Sequence, residues 1–324
     1  MNFRIKRNVG IWVFWILVFL FIFGAAIALY KRVDTDKVDA PLSEKEQSIS
    51  EIQDQMRRKE ASLQRSEDWT LAESGDTDKV IEKYRNVKIS GSAREAEQAR
   101  ILGILGRVAK PRSEWPPNFN DVKAGELMRF LEEVMETGHK PGGMGAVAVR
   151  VLSEFVAQNP EFNQRATAAI KTFYEVEERD SNKGESLLAL GKFKNREGLN
   201  LVLKASKSDK IMIVQSAVYS LSNMVEKKFW REEAFVGLRG VAQSNTAMRP
   251  LAVKLLAYHG DPQAAKWVPL LLTSKASPAA VEAAAFAIGK LKLKQFRGLL
   301  QKMDVRNNSY LMGIVGQALH DLEQ

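Results

Sequence analysis

The chain has 324 residues, of which 45% are hydrophobic and 27% are charged, so it is long enough for two ordinary domains or for one elongated domain with accessory segments. It contains no cysteine, which excludes disulfides, cysteine nucleophiles and cysteine-ligated zinc. Its formal net charge is +9 at pH 7.

The N-terminus contains a long uncharged segment, VGIWVFWILVFLFIFGAAIALY, at residues 9–30. A helix of this length would cross a bilayer core of roughly 30 Å. We therefore expect residues 1–8 to be a short basic tail and residues 9–30 to be a transmembrane anchor. The Ala-Ile-Ala sequence at 26–28 leaves a cleaved signal peptide as the alternative. The signal-anchor form predicts a single-pass inner-membrane protein whose large C-terminal part is periplasmic. The opposite orientation stays open, because basic residues flank both ends of the apolar segment.

Residues 31–92 are polar and charge-dense, and they are predicted to form a helical stalk or linker. Apolar residues recur there at an interval of seven, at Leu42, Ile49, Met56 and Leu63. The companion heptad position is apolar only at Ile52. A coiled coil needs both positions apolar over three or four heptads, so a solvated helix is favoured over self-association through residues 42–66.

From residue 93 the pattern changes to short amphipathic helices separated by Gly, Pro and Asn turns. Similar apolar helices end at Leu190, Leu221, Leu256, Ile288 and Leu319, at intervals of 31, 35, 32 and 31 residues. Each of the first four is followed by a turn and a second apolar helix. Neither helix of such a pair could bury its apolar face alone, so stacked pairs and an all-α fold are predicted.

Two of these segments carry a resemblance to a known family. GDPQAAKWVPLLL at 260–272 resembles the turn and first helix of a HEAT-like repeat, of the short kind found in phycobilisome-lyase-type proteins, and SPAAVEAAAFAIGKL at 277–291 resembles its second helix. The resemblance implies an α-solenoid of helix pairs over residues 93–324, most regular over 180–324. The family usually has arginine at the position of Val281, so a ladder of stacked arginines is in doubt here.

The His-Gly-Asp-Pro sequence at 259–262 could suggest a catalytic pair, but we interpret it as a turn. Asp261 followed by Pro262 can cap and begin a helix, and Asp261→Ala should then cost about 1 kcal/mol. His259 has no second histidine or spaced carboxylate nearby in sequence, and His139 and His320 are equally isolated. The chain has no recognised catalytic motif, and we expect no enzymatic activity, cofactor or metal.

Other candidate sites are few. The glycine-rich loop at 142–145 has no strand before it and is interpreted as a connector. Glu175, Glu177 and Glu178 are interpreted as a solvated face. Trp115, in the proline-stiffened sequence WPPNF, is a candidate partner contact, with burial against the next repeat as the alternative.

The charge is concentrated in the repeats, because residues 1–180 have a net charge of −1 and residues 181–324 a net charge of +10. Turns of stacked repeats align along one edge, so basic turns could form a binding ridge, although a merely solubilising surface is the alternative. The candidate partner-binding residues are Lys192, Lys194, Arg196, Lys227, Lys228, Arg231, Lys290, Lys292, Lys294 and Arg297.

These observations predict a membrane-anchored HEAT-like scaffold or adaptor that binds an acidic protein partner in a bacterial cell envelope. One alternative is a cytosol-facing, membrane-tethered adaptor for acidic partners. The other is an enzyme of HEAT-like fold, a lyase or a glycosylase. Nucleic acid is not the expected partner.

Overall fold

The described part of the chain consists of helices joined by short turns, without a strand. The computed structural model describes residues 67–108, 110–138, 143–273, 276–303, 305 and 307–324. Residues 67–74 are helical. The helices that follow are α1 Thr77–Arg85, α2 Ser92–Leu105, α3 Asp121–Thr137, α4 Gly145–Gln158, α5 Asn163–Val176, α6 Asp180–Leu190, α7 Arg196–Ala205, α8 Ile211–Glu226, α9 Arg231–Ser244, α10 Arg249–Tyr258, α11 Val268–Leu271, α12 Pro278–Lys290, α13 Arg297–Gln301 and α14 Ser309–Asp321.

The helices alternate between two layers. Most helices contact the next helix in the chain, and most also contact the next but one. Thus α4, α6 and α8 contact one another in turn, as do α10, α12 and α14, while α3, α5, α7 and α9 form a second series. This all-helical arrangement fits a helical repeat-type fold, which confirms the all-α prediction.

Apolar residues at the predicted repeat positions form the centre of the stack. Leu190, Leu221, Leu256 and Ile288 are fully buried, and Leu319 is partly buried against the same core. Because the helices are amphipathic, neither layer could exclude water from these side chains without the other.

Three turns between the layers share one backbone conformation. Lys228, Gly260 and Lys292 each lie two residues after the end of a helix and have φ values of 59°, 77° and 53°. In each turn the N–H of the following residue donates to the carbonyl five residues earlier, at 2.8 to 3.0 Å. This is the hydrogen bonding of a Schellman motif, which ends a helix and reverses the chain. Its recurrence every 32 residues is the most regular repeat signal in the structure.

Ion pairs link helices of the same layer in successive repeats. Lys254 on α10 pairs with Glu282 on α12 at 2.5 Å, and Lys210 at the start of α8 pairs with Asp180 at the start of α6 at 2.8 Å. Val281 is buried beside Glu282. Val281 thus contributes to the core, and these lysine–carboxylate pairs join the neighbouring helices.

The structure contradicts the inner-membrane localisation expected from the sequence. Among the residues that the structure describes, no helix is long and apolar enough to cross a bilayer. The segment at 9–30 on which that expectation was based lies outside the described residues, as do the basic tail at 1–8 and the heptad positions at 42–66. Of the expected stalk, residues 67–92 are described, and α1 contacts α2 and α3.

Candidate basic interface at the helix turns

Two of the predicted basic turns meet at one aromatic side chain. Trp230, in the turn between α8 and α9, has its ring 5.7 Å from Nζ of Lys194, in the turn between α6 and α7, and 5.0 Å from the guanidinium of Arg196, the first residue of α7. A cation over an aromatic face is attracted by the ring quadrupole, by about 0.5–1 kcal/mol at an exposed site. We call the surface formed by Lys194, Arg196, Lys227, Lys228 and Arg231 around Trp230 the turn cluster.

The cations of the turn cluster differ in how far they are already neutralised. Arg196 pairs with Glu233 on α9 at 3.0 Å, and the Arg231 guanidinium lies 5.5 Å from the centre of the Phe235 ring. Lys227 and Lys228 are exposed, and their side chains make no ion pair or hydrogen bond with any residue in the described ranges. Their charge is therefore available to an external ligand.

Lys192, which the sequence grouped with Lys194 and Arg196, has a different environment. Its Nζ donates to Ser153 Oγ at 3.2 Å and lies 3.8 Å from a carboxylate oxygen of Glu154, both on α4. Lys192 therefore joins the α6–α7 turn to an earlier helix and contributes less free charge to the surface.

The third basic group, after α12, is partly neutralised by the end of the chain. Lys292 Nζ donates to the carbonyl of Asp321, and Arg297 pairs with Glu323 at 2.8 Å. Lys290 and Lys294 are exposed and have no ion pair within the described part of the chain. The turn at 259–261 lies between this group and the turn cluster in the stack and contains no lysine or arginine, so the predicted ridge consists of two separate basic groups.

The His-Gly-Asp-Pro segment is a turn, as predicted. His259 is the residue directly after α10, and its Nε2 lies 2.8 Å from Ser222 Oγ. Burial lowers the pKa of the His259 imidazole. The Asp261 carboxylate accepts from the N–H of Gln263 at 3.0 Å, which begins a 3-10 turn at Pro262–Trp267.

Asp261 has a second partner that the sequence did not indicate. Its carboxylate is almost fully buried and accepts a hydrogen bond from Nε of Arg239 on α9 at 2.7 Å. This bond raises the pKa of the Arg239 guanidinium. Asp261 therefore joins the turn to the preceding helix of the other layer as well as capping the segment that follows.

Trp115 belongs to an aromatic cluster. Its ring makes an edge contact with Phe119, with centroids 4.9 Å apart, and lies parallel to Phe155 on α4 at 6.4 Å. Its indole N–H donates to the carbonyl of Lys110 at 3.1 Å. Trp115 is half-buried, so most of its contacts are made within the repeat stack.

The interpretation of Glu177 as part of a solvated face is wrong. Its side chain is fully buried where α5 ends, and its carboxylate accepts from the backbone N–H groups of Glu178 and Arg179, the Arg179 guanidinium and the Asn182 amide. Burial raises the pKa of this carboxyl, but the hydrogen bonds from Arg179 and Asn182 outweigh that effect and lower the pKa to about 2. A carboxylate with this many donors closes the corner between α5 and α6.

No cluster of three His, Asp or Glu side chains suited to a metal ion occurs in the described ranges. His320 lies near the C-terminus, with its Nε2 2.9 Å from the Gln324 amide, and His139 is outside the described residues.

Comparisons with known proteins found distant structural likenesses. No family model matches the chain, and no curated protein matches it. The X-ray structure of Escherichia coli YibA is 13% identical, with 79% of this chain and 95% of that chain covered and a TM-score of 0.48. An engineered protein is 17% identical, with 75% and 96% covered and a TM-score of 0.32. Both TM-scores are below 0.5.

Proposed function

We propose that this chain is a HEAT-like α-solenoid that acts as a scaffold or adaptor and binds an acidic protein partner at the turn cluster. The observation that carries the proposal is the convergence of two basic turns on Trp230. Convergence concentrates cations that are distant in sequence on one surface, and such a surface attracts an oppositely charged partner and speeds its encounter.

The HEAT-like assignment is supported by the helix contacts and by the regular turns. Helices that alternate between two layers, with left-handed turn residues recurring at Lys228, Gly260 and Lys292, are expected of stacked helix pairs of about 32 residues. A stack of such pairs would present its turns at one edge, and the basic turns that contain Lys194 and Trp230 do lie side by side.

The acidic nature of the partner follows from the charges left unpaired. Lys227 and Lys228 are adjacent and exposed, and neither has an anionic partner in the described part of the chain. Their mutual repulsion is relieved when a carboxylate lies between them. Trp230 adds an apolar contact next to these cations, and aromatic side chains beside basic ones are typical of protein interfaces.

The test measures binding of a fluorescein-labelled peptide of consecutive glutamates to the full chain by anisotropy, at several salt concentrations. In the variant K227E/K228E we expect affinity to fall by about tenfold, and the salt dependence to become weaker. The matched control is K88E/K302E, which changes the net charge equally at two exposed lysines outside the basic turns.

The two double variants separate a local site from overall charge. The proposal predicts that K88E/K302E keeps most of the wild-type affinity. Equal losses of affinity in both variants would show that the peptide responds only to net charge. Tighter binding of a random-sequence DNA duplex than of the peptide would indicate that the partner is nucleic acid and not an acidic protein. Either result would overturn the proposal.

A further inference from the structure

An open apolar groove lies between α7 and α9, next to the turn cluster. Its volume is about 870 Å³, and Leu203, Val236 and Val241 provide its apolar wall. Val236, near the middle of α9, is 62% exposed. The groove is therefore an apolar surface that the rest of the described chain leaves uncovered.

Two glycines on α9 shape the groove. A Cβ on Gly237 would lie 2.7 Å from Leu203 Cδ2 and 2.8 Å from Leu221 Cδ1, so this glycine lets α9 approach its neighbours closely. A Cβ on Gly240 would meet nothing within 4 Å. Gly240 lines the groove, so the missing side chain leaves room there for a side chain from another molecule.

Charged groups lie only at the two ends of the groove. At one end Glu233 pairs with Arg196 of the turn cluster, so the groove begins where that cluster ends. Glu232, also at this end, would repel an acidic chain that continued into the groove. At the other end Lys207 is exposed and has no ion pair with a residue of the described ranges.

We propose that the groove binds an apolar segment of the acidic partner, namely a peptide whose acidic residues lie on the turn cluster and whose next residues are apolar. This proposal rests on the proposed function, because the turn cluster must hold the acidic part. The cations of the cluster attract the acidic residues, Glu232 stops them at the groove entrance, and the apolar wall receives the side chains beyond. The ten residues of α7 extend about 15 Å, the length of about five residues of extended peptide.

The experiment compares two labelled peptides on the full chain. Both contain the same run of glutamates; in one it is followed by glycine and serine, and in the other by a segment with alternating leucines. We expect the leucine peptide to bind about tenfold more tightly, because burying even part of two leucine side chains provides that much affinity.

Gly240→Leu places a side chain in the groove at a position where a Cβ meets nothing within 4 Å, and it should remove this gain while leaving binding of the glycine–serine peptide unchanged. The matched control is Gly313→Leu on α14, where a Cβ likewise meets nothing within 4 Å and the glycine is also exposed. Val236→Ser is a second groove variant that leaves the buried core intact, since Val236 is largely exposed.

The outcomes distinguish the two proposals. If the glycine–serine peptide fails to bind the wild-type chain, the proposed function is overturned, together with the groove proposal that rests on it. If it binds but the leucine peptide binds no more tightly, only the groove proposal is overturned. A tenfold gain that survives both Gly240→Leu and Val236→Ser would also overturn it, because the leucines would then bind elsewhere.

Discussion

Replacing Asp261 with alanine should destabilise the protein by much more than the loss of a helix cap. The cap bond to Gln263 N–H is worth about 1 kcal/mol. The same substitution removes the partner of Arg239, and breaking a buried ion pair costs roughly 3–5 kcal/mol when the remaining charge is fully buried. The Arg239 side chain retains 23% exposure, which lowers that cost. We expect a total loss of about 2–4 kcal/mol in the free energy of unfolding.

Urea unfolding followed by circular dichroism measures this loss and separates its two parts. Asp261→Asn keeps a cap acceptor but removes the charge, so it should cost less than Asp261→Ala. Arg239→Met should cost at least about 1 kcal/mol less in the Asp261→Ala variant than in the wild type, because Asp261→Ala has already broken the ion pair. A loss below about 1 kcal/mol for Asp261→Ala, with additive effects in the double variant, would refute the importance of the ion pair.

Three further predictions concern stability. Glu177 has a pKa of about 2 in the folded state against an ordinary value of 4.5, so the stability that its carboxylate provides is full above pH 4.5 and is lost as the pH falls towards 2. Glu177→Gln should therefore be less stable than the wild type at pH 7, by roughly 2–3 kcal/mol, and should lose less stability than the wild type between pH 4.5 and 2. Urea midpoints measured across this pH range would show both effects. Lys228→Gly should stabilise the fold by about 0.5–1 kcal/mol, since glycine adopts a positive φ without strain, and a lower unfolding midpoint would contradict this. His259→Ala should lower the free energy of unfolding by about 1 kcal/mol, because the hydrogen bond to Ser222 is lost. A loss above about 3 kcal/mol in thermal unfolding would show that the imidazole ring has a larger structural role.

The repeat architecture could be predicted because its signals are local. The intervals between Leu190, Leu221, Leu256 and Ile288 follow from the size of a helix pair, and all four are buried. The Asp261 cap was also predictable, because the residues that form it are neighbours in sequence. The localisation expected from residues 9–30 is not supported by the helices that the structure describes.

The contacts that depend on distant residues could not be predicted in the same way. Arg239 lies 22 residues before Asp261, on a helix of the other layer, and no sequence pattern connects the two. Glu177 resembled its exposed neighbours in sequence, and only the corner between two helices shows that it is buried. The basic turns were recognised as candidates, but their meeting point at Trp230 depends on how adjacent repeats stack.

The groove between α7 and α9 could not be predicted from the sequence either. Gly237 and Gly240 are both ordinary helix glycines in the sequence, yet one allows close packing and the other leaves open space. The neighbouring helices determine which glycine allows close packing and which leaves open space. Two glycines three residues apart in one helix, the first directly after a valine, are the signal that could have indicated such a surface.

The central claim, that an acidic partner binds at the turn cluster, is tested most directly by the indole N–H signal of Trp230 in a ¹H–¹⁵N correlation spectrum, assigned with Trp230→Phe. During titration with the glutamate peptide, the account predicts a saturable shift of this signal that disappears at about 0.5 M salt, where screening is strong. The Trp115 signal should stay in place, because its indole N–H donates to the Lys110 carbonyl within the aromatic cluster. A shift of Trp115 without one of Trp230, or binding with no shift of Trp230, would contradict the account.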